Sequence, residues 1–251
     1  MRDSFFYWDM ANLLVEIGNT ALKAAWCEET TLGKTYRYQG EKHIEFILKI
    51  TSEEKPDVLT LASSNVIQDS DRAVLEKECR HLLVLDPAHT SMLLLYDLPE
   101  YLSYDRAASI VAVKHLFENK SCTIMDFGTT LNVDFVNSTG RYAGGNVTPG
   151  CRTRFKALNR YSRNLPLADV PSEIRMEGHS LESSVQSGVI LGIMFEIEGY
   201  TRLYPDNILV FTGGDAIYFA KKNKNSIFVI PNLVMIGMAF ITCDYVKKAL
   251  Q

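Results

Sequence analysis

Glu16-Ile17-Gly18-Asn19-Thr20 decides how the chain is read. It follows the apolar run Leu13-Leu14-Val15 and leads into Ala21-Leu22-Lys23-Ala24-Ala25-Trp26, which predicts the turn of a hairpin between two buried strands. A carboxylate closes the first strand. Glycine occupies the turn, where the missing Cβ lets backbone N–H groups approach an anion. The pattern returns as Asp126-Phe127-Gly128-Thr129-Thr130, after Thr123-Ile124-Met125 and before the alternating Leu131-Asn132-Val133-Asp134-Phe135. Two copies of acid-x-Gly-polar-Thr predict a duplicated domain with a ligand held between the halves.

Around the two turns, hydrophobic spacing predicts strand hairpins followed by helices, twice. In the first half, Lys34 to Gln39 reads as a third strand, Glu41 to Ile50 as a helix, and Asp57 to Ala62 as a buried strand running into Ser63-Ser64-Asn65. Ser70 to Cys79 follows as a helix and Leu82 to Leu85 as a strand. Pro99 to Tyr104 is turn-like, and Asp105-Arg106 opens a helix to Asn119, with the acid at the end where the dipole holds it ionised. In the second half, Gly140 to Gly150 is expected as a glycine-rich loop, Cys151 to Tyr161 and Leu181 to Tyr200 as helices, and Asn207 to Phe211 as a strand. That strand delivers Thr212-Gly213-Gly214-Asp215, and helices Ala216 to Lys221 and Leu233 to Ala249 close the chain. The boundary is expected near Asn119 to Ser121, giving domains 1–119 and 120–251.

The 251 residues are 47% hydrophobic and 22% charged, enough apolar chain for a sizeable core. A net charge of −4 without a Lys/Arg block recommends neither nucleic acid nor an anionic membrane, and points to a small metabolite. Five widely spaced cysteines without a C-x-x-C pair read as reduced core residues, neither a disulfide framework nor a zinc cluster. The N-terminus, Met1-Arg2-Asp3-Ser4-Phe5, carries an acid at Asp9 and no apolar run before a small-residue cleavage site, so no secretory leader is expected. The longest apolar run, Ile227 to Cys243, is interrupted by Pro231-Asn232 and Gly237 and falls short of the ~20 residues of a bilayer span. The expectation is a cytoplasmic protein.

A strand ending in an acid, a glycine turn and a hydroxyl or amide side chain suits nucleotide phosphates, with the acid orienting a hydrated cation. Phosphoryl transfer also needs an aligned acceptor hydroxyl and a carboxylate to take its proton. Glu16, Asp105 and Asp126 are the acids available to divide that labour. Lys23, leaving the first turn, is a candidate phosphate contact, and Thr212-Gly213-Gly214 follows a strand where a nucleotide can pack.

In order, the motifs resemble those of type III pantothenate kinases, members of the acetate and sugar kinase, Hsp70 and actin superfamily. The matching stretches are Glu16 to Thr20, Ser63-Ser64-Asn65-Val66, Ser103-Tyr104-Asp105-Arg106, Asp126 to Thr130, Gly144 to Gly150, Leu165-Pro166, Gln186-Ser187-Gly188 and Thr212 to Asp215. Each is weak alone, but eight in one order make a strong signature. The resemblance implies an α/β fold of duplicated actin-like (ribonuclease H-like) domains, with mixed sheets flanked by helices. It implies ATP binding at Gly18, Asn19, Thr20, Lys23 and Thr129, with Glu16, Gly128, Gly213 and Gly214 in the same motifs. It implies Asp105 as proton acceptor and Ser103, Tyr104 and Arg106 in the pantothenate motif, Arg106 suiting the substrate carboxylate. It implies Asp126 on a monovalent cation, potassium or ammonium, with Mg2+ accompanying ATP and Glu16 as a further metal-side acid. It also implies a homodimer with the active site at the subunit interface and a role at the start of coenzyme A synthesis.

Three positions depart from the family pattern: Glu16 stands for Asp, Ser103 for Gly, and Leu181 where a substrate-binding threonine is expected. They leave open a binding or regulatory protein that has kept the fold without catalysis. A kinase of the same superfamily acting on another small alcohol is a third possibility. Singly, Glu16 reads as a strand-end surface acid, Asp105-Arg106 as helix-end charges, and the Gly-Gly pairs as plain turns. Asp126-Phe127-Gly128 lacks the H-R-D and V-A-I-K companions of protein kinases. His43, His81, His89, His115 and His179 show no ligand spacing, and Lys221-Lys222-Asn223-Lys224 reads as a solvated helix end.

Overall fold

The computed structural model describes residues 11–18 and 20–249; Asn19 and the N-terminal residues bearing on a leader lie outside them. Packing divides the chain into two units. One comprises the described residues up to Leu116 together with those from Leu233 onward, and the other comprises Phe117–Asn232.

The first unit begins β1 (Ala11–Ile17), β2 (Leu22–Glu28), β3 (Thr31–Tyr38), α1 (His43–Glu53), β4 (Val58–Ser63) and α2 (Asp69–Leu75). It continues with β5 (His81–Leu85), α3 (Ser91–Leu95) and α4 (Tyr104–Leu116). Its sheet runs β3-β2-β1-β4-β5, with β1, β2 and β3 antiparallel and β1, β4 and β5 parallel. Leu13, Leu14 and Val15 are wholly buried because β1 is central and covered on both faces, where a continuous apolar run replaces alternation. Beneath it Leu22, Ile47, Ile50, Leu59, Leu61 and Leu75 complete a core.

The second unit contains β6 (Cys122–Phe127), β7 (Thr130–Val136), β8 (Tyr142–Pro149), α5 (Cys151–Tyr161), α6 (Leu181–Leu203), β9 (Ile208–Thr212), α7 (Ala216–Lys222) and β10 (Ile227–Val229). Its sheet runs β10-β9-β6-β7-β8, again with an antiparallel triple and a parallel side. Read from the other edge, this is the strand order of the first unit. The duplication expected from the two turns is therefore present in the hydrogen-bonded topology, and the fold is α/β and actin-like.

Two stretches differ from expectation. Tyr142–Pro149 pairs with β7 as the edge strand β8 instead of forming a loop. Glycine and asparagine are poor strand formers, but an edge strand bonded to one neighbour tolerates them, and Pro149 sits at its end. The final helix, α8 (Leu233–Ala249), packs with the first unit, whereas the sequence kept it with the second half. Leu233, Met235, Met238, Ala239 and Ile241 are buried, Thr242 shares a 2.6 Å hydroxyl contact with Thr60, and His115 stacks on Phe240 at 4.1 Å. An apolar helix carries no mark of which sheet it will cover. The short α3 and β10 were not foreseen, since so few residues show no periodicity. Among the described residues, no helix is long and apolar enough to cross a membrane.

Candidate active site

Register places Glu16 on β1 opposite Lys23 on β2. The Lys23 Nζ lies 3.1 Å from Glu16 Oε2, with the carboxylate largely buried and the lysine partly exposed. These two residues, expected on metal and phosphate respectively, thus hold each other. The Gly18 amide donates to Ala21 O at 3.1 Å, closing the turn, and Thr20 is exposed. At the strand's end, Tyr104 Oη donates to Ile17 O at 3.4 Å and ties the start of α4 to this turn.

Ser103 immediately precedes α4, its carbonyl accepting the Ala107 amide at 3.0 Å. The described non-glycine residues with positive φ are Glu29, Asp97 and Asn119, so Ser103 stands where glycine was expected without left-handed strain. Asp105 and Arg106 follow in the first turn of α4, both partly exposed.

A cavity of about 270 Å³ opens in this unit, and Ser63, Ser64, Ser103 and Tyr104 contribute to its wall; Asp105 and Arg106 are not among the lining residues. Its floor is apolar, with Leu85, Leu102 and Val111, while Asp86, His89 and Tyr96 bring polar groups. Asp86 Oδ1 accepts the amides of Ala88 and His89 at 2.9 and 3.0 Å and lies 2.8 Å from His89 Nδ1. Its Oδ2 accepts the Ile67 amide at 2.9 Å. Arg72 Nη1 sits 2.9 Å from His89 Nε2; arginine only donates, so Nε2 accepts and Nδ1 carries the proton to Asp86. Burial pushes the Asp86 carboxyl up, but the Ile67 amide, His89 and the Ala88 amide outweigh it, leaving the group below the usual carboxylate range. Tyr96 donates to Asp244 on α8 at 2.8 Å, and burial together with that carboxylate keeps its phenol protonated.

Asp86 gives a pH signature. A carboxyl depressed in the folded state contributes stability above its unfolded pKa of ~4 and loses it as pH falls through the folded value. Asp86→Asn is expected to cost about 1–3 kcal/mol at neutral pH and to flatten the acid limb of the stability profile. Urea midpoints between pH 7 and pH 3 check this; parallel profiles for variant and parent would refute it.

In the second unit, Asp126 on β6 stands opposite Asn132 on β7 and Thr212 on β9. The Gly128 amide donates to Thr130 O at 3.0 Å, and Gly128 and Thr129 are exposed. Gly213 has φ +88°, and a Cβ there would collide with Asp126 Oδ1 and the Phe127 main chain. The Asp215 amide donates to Phe127 O at 3.2 Å, so the β9–α7 turn wraps the end of β6 and leaves Gly214 exposed. Burial raises the Asp215 carboxyl, with Arg152 opposing and Asp169 adding to the shift. Leu181, the first residue of α6, is exposed and lines an apolar groove with Leu158, Leu165 and Val185. It does not line the cavity of the first unit.

Among the described residues, no three His, Cys, Asp or Glu side chains converge as a metal cage. The donor set fits Mg2+ carried largely by nucleotide phosphates and water, which needs only one or two carboxylates from protein. The five cysteines are unpaired, and burial pushes the Cys27 and Cys151 thiols up to about 12.

The fold is that of the actin-like class. The chain superposes with a TM-score of 0.62 on a Baf family transcriptional activator homologue from Campylobacter jejuni, at 19% identity over 95% of this chain and 98% of that one. It does so at 0.57 on the activator of 2-hydroxyisocaproyl-CoA dehydratase from Clostridium difficile, at 14% identity over 96% and 97%. Residues 12–203 match the family model of type III pantothenate kinases. A type III pantothenate kinase from Bacteroides fragilis is 34% identical over 90% of this chain and 95% of its own length. One from Phocaeicola vulgatus is 34% identical over 90% and 96%. The chain belongs to the type III pantothenate kinase family.

Asp86 and His89 escaped the sequence reading, which treated His89 as incidental. One signal was available: Asp86 closes the strand Leu82 to Leu85 as Glu16 and Asp126 close theirs. Tyr96 had none, because its partner Asp244 is remote in sequence.

Proposed function

We propose that the chain transfers the γ-phosphoryl group of ATP to the primary hydroxyl of pantothenate, the first step of coenzyme A synthesis, in the cytoplasm. The observation that carries this reading is the family match, which spans both acid–glycine turns and the start of α4. In the first unit, the substrate lies against Ser103 and Tyr104 at the start of α4, with Arg106 taking its carboxylate and Asp105 its hydroxyl proton. Gly18, Asn19, Thr20 and Lys23 take nucleotide phosphate, and Lys23 then exchanges the Glu16 carboxylate for it. In the second unit, Gly128 and Thr129 take phosphate, while Gly213 and Gly214 line the nucleotide. Glu16 would face Mg2+ bound with the phosphates, which would neutralise their charge, and Asp126 would hold potassium or ammonium.

The partner we propose is a second copy of the chain, joined through the apolar α5–α6 face on which Leu158, Tyr161, Leu181 and Phe195 are exposed. Sedimentation equilibrium is expected to return about twice the 28.3 kDa chain mass. Leu158→Glu is expected to shift it toward the monomer; a monomeric parent would overturn this assembly. The activity itself is tested by ADP release that requires both ATP and pantothenate, against a panel of other hydroxylated acceptors.

A further inference from the structure

The geometry points to Thr153 as a positioning residue for the nucleotide turn of the second unit, an inference that rests on reading Gly128-Thr129 as phosphate-binding. Thr153 Oγ1 donates to Thr129 O at 2.6 Å, and the Gly150 amide donates to the same oxygen at 3.0 Å. Both donors come from the junction where β8 passes into α5. A Cβ on Gly150 would collide with the carbonyls of Gly128 and Thr129, so the junction lies directly against the turn's main chain. The N-cap position of α5 is glycine and offers no side-chain acceptor; the hydroxyl in its first turn is directed outward to the neighbouring turn instead.

The junction is itself anchored. Arg154 donates from Nε to Pro149 O at 2.7 Å, and its Nη2 reaches Glu196 on α6 at 2.7 Å and Thr148 Oγ1 at 3.1 Å. A largely buried arginine bonded to three partners gives the junction a fixed place against α6. The consequence runs outward from α6 through Arg154 and the β8–α5 junction to Thr129. With its carbonyl held twice, the Thr129 peptide has one orientation, and its exposed side chain and the Thr130 amide are presented to phosphate already ordered. Removing the hydroxyl leaves the turn formed, because the Gly128 amide still bonds to Thr130 O, but releases one of two restraints on Thr129. The loss falls on nucleotide affinity, since ordering is then supplied at the moment of binding.

The test is calorimetric titration of the purified full chain with Mg2+-ATP, together with the Michaelis constants for both substrates. Thr153→Val is expected to raise the ATP dissociation constant and KM roughly three- to tenfold with the pantothenate KM unchanged. Thr153→Ser, which keeps the donor, restores the parent values. Thr201→Val is the comparison: Thr201 Oγ1 makes a 2.8 Å bond to Ile197 O within α6, and its loss should lower stability without moving ATP affinity. Thr129→Ala reports on the underlying reading. If Thr129→Ala weakens ATP and Thr153→Val does not, the inference falls while the nucleotide site stands. If Thr153→Val and Thr201→Val weaken ATP equally, Thr153 is merely structural and the inference falls. If the unmodified chain binds no ATP, both fall.

Discussion

Asp105→Asn is expected to lower kcat by roughly 10²–10⁴-fold, the usual range for a lost general base, with the ATP dissociation constant unchanged. Asp105 stands in the first turn of α4, and its neighbour Tyr104 is bonded to Ile17 O. That turn is therefore fixed relative to β1 independently of the carboxylate. Asparagine keeps the size and polarity at this site, so the chain should fold with only a few tenths of a kcal/mol lost from the dipole interaction. Steady-state kinetics with ATP titration separate the two quantities. An Asp105→Asn protein that turns over at the parent rate would remove Asp105 as the proton acceptor.

Gly213→Ala is the second large effect. At φ +88° an alanine pays left-handed backbone strain, and its Cβ meets Asp126 Oδ1 and the main chain of Phe127, which belong to the rigid end of a central strand. Strain and overpacking together are expected to cost roughly 2–5 kcal/mol. The next residue provides the contrast. A Cβ on Gly214 has no atom within 4 Å, and Gly214→Ala should stay within about 0.5 kcal/mol of the parent in stability. Denaturant midpoints for the pair decide the matter, and equal midpoints would contradict the close approach of the β9–α7 turn to Asp126.

The fold was legible because the sequence repeats itself at the two places where topology is set. Each turn follows a buried strand and precedes its antiparallel partner, so the hairpin followed by helices could be read twice, while the order of the strands within each sheet could not. The second turn is tighter: the amide of Gly128 bonds to Thr130, whereas that of Gly18 bonds to Ala21. What stayed illegible depends on partners remote in sequence. Nothing in Leu233 to Ala249 says that it packs with β4 and α4 rather than with the nearer β9. Nothing in Gly144-Gly145-Asn146 favours a strand until β7 offers its edge.

The candidate site divides in the same way. Acids at strand ends could be named from the sequence, and Glu16 and Asp126 occupy equivalent places in the two sheets. The Lys23–Glu16 pair could not be named, because it depends on the hairpin register. Asp86 and His89 are held in their cavity wall by main-chain amides and by their own side-chain bond, and of this the sequence shows just an acid at a strand's end. Thr153 likewise reaches the turn through a carbonyl oxygen, which leaves no side-chain motif.

The most direct measurement is ADP release by the purified chain with Mg2+ and potassium or ammonium present, with and without pantothenate. ADP formed in step with phosphopantothenate, and only when both substrates are supplied, is the predicted result. A folded protein that binds ATP yet releases no ADP on adding pantothenate would contradict the proposed activity.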